Sequence, residues 1–524
     1  MSSPPVPTAK KLKTSINTSS TPSPPPPNPT SSKTVPKITP HSIDTYVVNL
    51  PSNLRQHLSN HFSDVEINRI QGCYKLAPTR TVFRQVTPCV TGQVPPSPAT
   101  PDFTLLPVPE SAVTALPQIP SVYLTSPPTT STTPTPCPSF STASSSLLTS
   151  PTIIVDRICA EAVLRGSTIF NPGILASNGD IVKGCEVYVW GDVTEPGGAG
   201  KTEGGKDKKN NRGCKIPHFQ GDIIYLGIGC VEVSKQSDFF RLSTGTGVTM
   251  ISLVTGSTPM SLNELDTTKW FCQNLPSLVP AYSLSQSITD SNALILDMCS
   301  APGGKTSHIA GLSKGSLVFA NDRSKKKMIR VRKLMKKQGF DNVKCISADA
   351  TKLCSETENT NTEIKSLLSQ HPPNPTTGLH TTLKTLPPSS FTHILLDPPC
   401  SALGLRPRLH IPDGDDVKQY SVYQRGFVDQ AIKLLKPGGT LCYSTCTYNP
   451  EENEGVTAFI LKKYKEMELV DVGVGLGKMG VEWEGLTEED RRKVRRFDWC
   501  DEEEREDMAG SSIGFFVARF VKNK

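Results

Sequence analysis

The chain has 524 residues, with 56 Lys and Arg against 49 Asp and Glu, and 36 % apolar residues, fewer than the roughly 45–50 % of an average globular chain. Of its 46 prolines, 27 fall in the first 150 residues, so the shortage of core material is local and the remainder reads as globular. No stretch nears the ~18 consecutive apolar residues of a membrane span, the N-terminus has no apolar signal region, and no Cys-x-x-Cys pair occurs among 15 cysteines. Collagen-like, secreted disulfide-rich and integral-membrane classes are thereby excluded, and reduced thiols in a cytoplasmic setting are expected. A nuclear setting stays open through the AKKLK run at 9–13, though a solvated basic tail explains that run as well.

In chain order, residues 1–40 are rich in Pro, Ser and Thr and are expected to be disordered, because they bury too little to offset their ordering entropy. Residues 41–90 regain pattern: Tyr46, Val47, Leu50, Leu54, Leu58 and Phe62 recur at helical spacing, and 79–87 alternates like a strand. Residues 91–150 read as a low-complexity insertion with one short ordered piece near 102–124. Residues 151–262 read as a compact β-rich module, with strands at 152–156, 185–190 and 222–229, a short helix at 160–166 and a Gly/Lys-rich loop at 191–214.

From about 265 the pattern becomes alternating strand and helix, which predicts an α/β doubly wound sheet. Strands are expected at 293–298, 316–322, 343–349, 391–397 and 439–445, helices near 304–313, 324–338, 416–435 and 451–464, and a last strand at 513–521. A polar insertion at 355–388 interrupts the run.

The segment ALILDMCSAPGGKTSHIA is a strand, a glycine turn and a helix, the place where an open α/β sheet binds ligands. It is not a phosphate loop, since the first glycine of Gly-x-x-x-x-Gly-Lys-Thr falls on Cys299, and the Gly-x-Gly-x-x-Gly pattern fails as well. The next two strands end in Asp322 and Asp349. A strand-end acid is often only a cap. Here successive strand ends repeat the pattern, which suits a ribose diol and a base and points to S-adenosylmethionine.

The fourth strand ends in Asp397-Pro398-Pro399-Cys400-Ser401 and the fifth in Ser444-Thr445-Cys446-Thr447. A lone cysteine is usually a small buried hydrophobe, which is the expectation for Cys345 and Cys442. Cys400 and Cys446 instead fall on neighbouring loops at the functional edge. Two thiols beside a methyl donor suit methylation of carbon 5 of cytosine. A thiolate adds at carbon 6, an acid such as Asp397 assists at ring nitrogen 3, and a second thiol can help remove the carbon 5 proton.

CSAPGGKT, DPPCSALG and STCTYNPEENE together resemble the Sun-domain family of RNA cytosine-5 methyltransferases, over about 265–524. The resemblance implies a class I methyltransferase sheet, Cys446 as nucleophile, Cys400 in product release, and a cofactor segment of Cys299, Ser300, Ala301, Pro302, Gly303, Gly304 and Lys305 with Asp322, Asp349 and Asp397. AVLRGSTIFNPGI (162–174), GD at 179–180 and YLGIG (225–229) resemble a PUA domain, a β-rich RNA-binding pseudo-barrel. Together with QNLPS (273–277), RRFD (495–498) and SSIGFFVARFVK this is similar to the PUA-containing, tRNA-methylating branch, the family's sixth member. That likeness implies tRNA as partner, modified near the acceptor end; a monomer that requires no metal and meets no membrane is expected beside it.

Arg406 and Arg408, just past the Cys400 loop, are placed to hold an RNA strand. The eight basic residues in 324–337 form a helix face that solvent alone would explain, and RRKVRR (491–496) is expected to pair with nearby acids. The alternatives are a ribosomal-RNA methyltransferase with the same chemistry and a non-catalytic RNA-binding protein with the same fold. An ATP-hydrolysing enzyme is the remotest.

Overall fold

The computed structural model describes residues 38–78, 81–87, 103, 106, 113–125, 150–194, 213–216, 219–254, 265–355, 364–411, 417–499 and 511–524. They fall in one unit, Lys37–Lys524. The disorder expected over 1–40 and most of the insertions expected at 91–150 and 191–214 lie outside the described residues.

The catalytic half is an eight-stranded sheet: β1 (Leu294–Asp297), β2 (Leu317–Asn321), β3 (Val343–Ile346), β4 (Phe391–Leu396), β5 (Leu435–Thr445), β6 (Met467–Val470), β7 (Arg495–Trp499) and β8 (Ser511–Lys522). Its order is β3-β2-β1-β4-β5-β8-β6, with β7 on β8. The first five strands are mutually parallel, while β8 runs antiparallel to β5, β6 and β7. The apolar runs in β1 and β4 reflect burial on both faces, as parallel sheets covered by helices require. The order reverses beside β1, so the carboxyl ends of β1 and β4 flank the crevice where such sheets bind ligands. β6 and β7 were not evident in the sequence.

The expected helices are present at Gly304–Leu312, Lys325–Lys337, Val417–Leu434 and Glu454–Lys463. Lys325–Lys337 buries Met328, Val331 and Met335 and leaves its lysines exposed. A further helix, Leu275–Ser285, carries Pro276 and Pro280, and its apolar residues fill the core between β1 and β8.

A second, four-stranded antiparallel sheet has the order Trp270–Cys272, Val82–Gln85, Val122–Thr125, Val113–Ala115. Its strands come from three distant stretches, and Val82, Val122 and Leu124 pack into the catalytic core. The ordered piece expected near 102–124 is thus a hairpin of this sheet.

The β-rich module forms a third sheet, ordered Ile169–Phe170, Thr246–Leu253, Gly221–Val231, Glu186–Asp192, Thr152–Val155, Ile174–Asn178, Cys214–Lys215. Ile38–His41 adds to it, parallel to Gly221–Val231. The module meets the catalytic half at the loop after β4. Leu409 is buried in the module's core, its N–H donates to Glu161 at 2.8 Å, and its carbonyl accepts from Tyr46 at 2.9 Å.

Candidate active site

The carboxyl ends of β1, β2 and β3 are tied together by Asn321, a fully buried side chain. Its Nδ2 donates to the carbonyls of Met298 and Ala348, and its Oδ1 accepts from Ala348 N–H. The turn after β1 leads directly into the helix Gly304–Leu312. Gly303 caps that helix with φ +108°, a region that only glycine occupies readily, and a Cβ there would also lie 3.2 Å from Leu334. No side chain caps this nine-residue helix, so its leading N–H groups stay open to a ligand.

Asp297 ends β1 fully enclosed. Its Oδ2 accepts from Thr306 Oγ1 at 2.7 Å, and burial pushes its carboxyl up to about 7. Asp322 and Asp349 stand half-buried beyond β2 and β3. Each uses Oδ1 to cap the following turn, on Ser324 N–H and Thr351 N–H respectively, leaving Oδ2 without a protein donor among the described residues. Cys299 lies among Asp297, Asp397, Asp322 and Asp349, and burial followed by these carboxylates pushes its thiol well up. Burial opposes charge of either sign, but four carboxylates around one point favour a cation there. The sulfonium of S-adenosylmethionine is one, and the free Asp322 oxygen suits its ribose. The residues present therefore fit that cofactor.

Asp397, at the end of β4, accepts from Lys305 Nζ at 2.8 Å on Oδ2 and from Ser444 Oγ at 2.9 Å on Oδ1. Burial alone would lower the Lys305 ammonium, but Asp397 more than offsets it, and the lysine pKa is raised. The ring of Phe515 lies 5.1 Å beneath the same ammonium.

Cys400 and Cys446 come together with their sulfurs 3.3 Å apart. Contact with Cys446, then burial, pushes the Cys400 thiol well above its ordinary value. Their loops are stitched at the backbone: Gly404 N–H donates to the Cys446 carbonyl at 3.0 Å and Gly514 N–H to the Gly404 carbonyl at 2.8 Å. Cys345 and Cys442 are fully buried core residues.

Sequence reasoning did not identify Glu452. Its carboxylate is fully buried and accepts from Ser401 N–H and Oγ, Asn449 Nδ2 and Gln424 Nε2, fixing the Cys400 loop to the turn after Cys446. The acidic Asn-Pro-Glu-Glu-Asn run is the only sequence signal it leaves. Glu454, two residues on, is buried against Arg496 at 2.6 Å.

Arg406 and Arg408 both pack back on the protein. The loop folds back on β8, so Arg406 is only 7 % exposed and its Nε donates to the Ser512 carbonyl at 2.8 Å. That bond ties the loop to β8. Arg408 is half-buried, with Nη1 donating to the Ala402 carbonyl at 3.1 Å. In the 491–496 run, Arg492 pairs with Glu488, Lys493 with Glu489 and Arg495 with Asp471, the local pairing expected.

A family model described as 16S rRNA methyltransferase RsmB/F matches residues 287–485. The chain is 31 % identical over 453 residues to the rRNA (cytosine-C(5))-methyltransferase NOP2C of Arabidopsis thaliana, covering 70 % of this chain and 72 % of that protein. It is 32 % identical over 392 residues to the human tRNA (cytosine(72)-C(5))-methyltransferase NSUN6, covering 71 % and 75 %. It is 30 % identical over 380 residues to the tRNA (cytosine(72)-C(5))-methyltransferase of Pyrococcus horikoshii, covering 71 % and 76 %. Among solved structures, the fold is similar to NSun6 from Pyrococcus horikoshii with SFG, at TM-score 0.60 and 24 % identity, over 90 % of this chain and 98 % of that one.

Proposed function

The chain belongs to the Sun-domain family of RNA cytosine-C5 methyltransferases, and we propose that it methylates carbon 5 of a cytosine near the acceptor end of tRNA. The observation that carries the chemistry is the thiol pair, 3.3 Å apart, beside the Lys305–Asp397 pair and the glycine turn. S-adenosylmethionine, when bound, supplies the electrophilic methyl group.

The target base leaves its stack to reach the loops after β4 and β5. The Cys446 thiolate adds to carbon 6, and the ring's new negative charge is met at nitrogen 3 by a proton passed from the Lys305 ammonium through Asp397, which returns to Lys305 when the adduct breaks down. The adduct makes carbon 5 nucleophilic, and carbon 5 takes the methyl group. Its hydrogen must then leave as a proton so that the carbon–sulfur bond can break and return the Cys446 thiolate. The raised Cys400 thiol is unfit as a base while Cys446 is free. Once the Cys446 sulfur is bonded to carbon 6, the contact that raised Cys400 is lost, so Cys400 can give its own proton to solvent and, as a thiolate, accept the carbon 5 proton.

Three similar proteins, from mouse, human and Pyrococcus horikoshii, are tRNA (cytosine(72)-C(5))-methyltransferases, which supports tRNA as substrate. The Arabidopsis relative is an rRNA enzyme, so rRNA is the alternative. In this reading the β-rich module helps choose the RNA, and its contact with Leu409 links that choice to the Cys400 loop.

The test is methyl transfer from labelled S-adenosylmethionine into total RNA, followed by size separation and bisulfite sequencing. Label in tRNA at an acceptor-stem cytosine is expected. Label confined to rRNA would replace the substrate, and tRNA binding without transfer to any RNA would favour the non-catalytic reading.

A further inference from the structure

Outside the site just described, the helix Ser52–Leu58 presses His57 against the turn that follows Cys446. His61 follows one turn later and Glu451 faces both. The donor atoms of the three side chains lie within 4.8 Å of one another.

The hydrogen bonds around His57 fix its tautomer. Asn449 points Nδ2 at Glu452, 3.0 Å away, so its Oδ1 faces the other way, where it accepts from Glu451 N–H. His57 Nε2 lies 3.1 Å from that oxygen and must be the protonated, donating nitrogen. A neutral ring then carries a bare lone pair on Nδ1. His57 is only 5 % exposed, its Nδ1 has no hydrogen-bond partner among the described residues, and it faces Glu451 Oε1 at 3.8 Å. A buried lone pair opposite a carboxylate oxygen is repulsive unless a cation lies between them. Arg496, whose charge reaches His61, is engaged by Glu454 at 2.6 Å.

We propose that His57, His61 and Glu451 bind a divalent transition metal of the zinc type, which pins the N-terminal helix to the turn after Cys446. Two imidazoles and a carboxylate suit zinc, with water in the fourth position. At bond lengths of roughly 2.0–2.2 Å, tetrahedral donors stand about 3.4 Å apart, so the three atoms need close in by only about 1.5 Å at most. Glu451, 28 % exposed, is free to make that movement, and His61 is steadied by stacking on Trp483 at 5.3 Å. The His57 Nε2–H···Asn449 bond is the outer contact that zinc-bound histidines usually have. Through Asn449 and Glu452 it leads to Ser401, so the metal would steady the Cys400 loop without touching a reacting atom. The site does not depend on the methyl-transfer reading.

The test uses the full, tag-free chain carrying Cys400→Ser, which removes the thiol pair as a competing soft site. Zinc is added, excess is dialysed away, and bound metal is measured by mass spectrometry; cobalt is titrated in parallel and followed by its visible absorption. One zinc per chain, an intense tetrahedral cobalt spectrum and a zinc-dependent rise in Tm are expected. His61→Ala and Glu451→Gln, both at partly exposed positions, should each weaken binding by at least the ~10–100-fold that outer-shell losses cost, and should abolish the Tm rise. His57→Ala removes a buried ring and tests folding as well as binding, so the decision rests on the other two. Failure of the parent chain to retain zinc or cobalt, or equal retention by both variants, would overturn the site.

Discussion

Gly404→Ala tests whether the loop carrying Cys400 works by position alone, because the change adds one methyl group and removes no reactive atom. A Cβ at residue 404 would lie 2.0 Å from the Gly514 carbonyl oxygen and 2.8 Å from that of Cys446, where real contacts keep at least 3.0 Å. The obstacles are backbone, so neither can rotate aside, and the loop must lift by about 1 Å. Lifting strains two backbone hydrogen bonds, from Gly404 N–H to Cys446 and from Gly514 N–H to Gly404. At roughly 0.5–1.5 kcal/mol each, their loss costs about 1–3 kcal/mol of stability. The larger effect is kinetic, since a ~1 Å misplacement of reacting groups costs about 10²-fold in rate. Single-turnover methyl transfer at saturating cofactor should fall by about that factor, with RNA affinity nearly unchanged. A Gly404→Ala enzyme with wild-type kcat and wild-type Tm would refute the packing logic.

Glu452→Gln places an amide NH₂ among four donors. At roughly 1.5–3 kcal/mol per charge-assisted bond, losing two should destabilise the chain by about 3–6 kcal/mol in urea melts and slow transfer; a change under about 1 kcal/mol would count against the network. Arg496→Met leaves Glu454 charged and buried, so a loss of about 3–5 kcal/mol is expected, and an unchanged denaturation midpoint would contradict it. For Asp297, the folded-state pKa is raised from 3.8 to about 7, so the folded chain holds this proton more tightly than the unfolded one. The associated stability is complete below about pH 4 and falls by about 4 kcal/mol as pH rises to about 7. Urea melts across that window should show a smaller fall for Asp297→Asn, and parallel curves for the two proteins would show that Asp297 does not titrate there.

The catalytic sheet was legible because each parallel strand is an apolar run closed by an acid or a turn, a local signal. The glycine turn, the strand-end acids and the two cysteines were legible for the same reason. The helix Leu275–Ser285 was hidden by Pro276 and Pro280, which read as breakers, although the first sits where a helix tolerates proline and burial against β8 compensates for the second. The four-stranded sheet draws strands from 82–85, 113–125 and 270–272, and no local pattern announces pairings across such distances. The burial of Arg406 against β8 was not legible, because a basic residue after such a loop looks the same in sequence whether it stands out or folds back. Glu452 and Asn321 act through buried contacts that only tertiary structure creates.

The central claim is the division of labour between the two thiols. Wild type, Cys446→Ala and Cys400→Ala would be incubated with tRNA and methyl-labelled S-adenosylmethionine and run on denaturing gels. Cys446→Ala should transfer no label, and Cys400→Ala should hold labelled RNA in a covalent protein band, because the carbon 5 proton is not removed and sulfur cannot leave. Methylation that persists in Cys446→Ala, or a covalent band that needs Cys400 and survives loss of Cys446, would contradict the assignment.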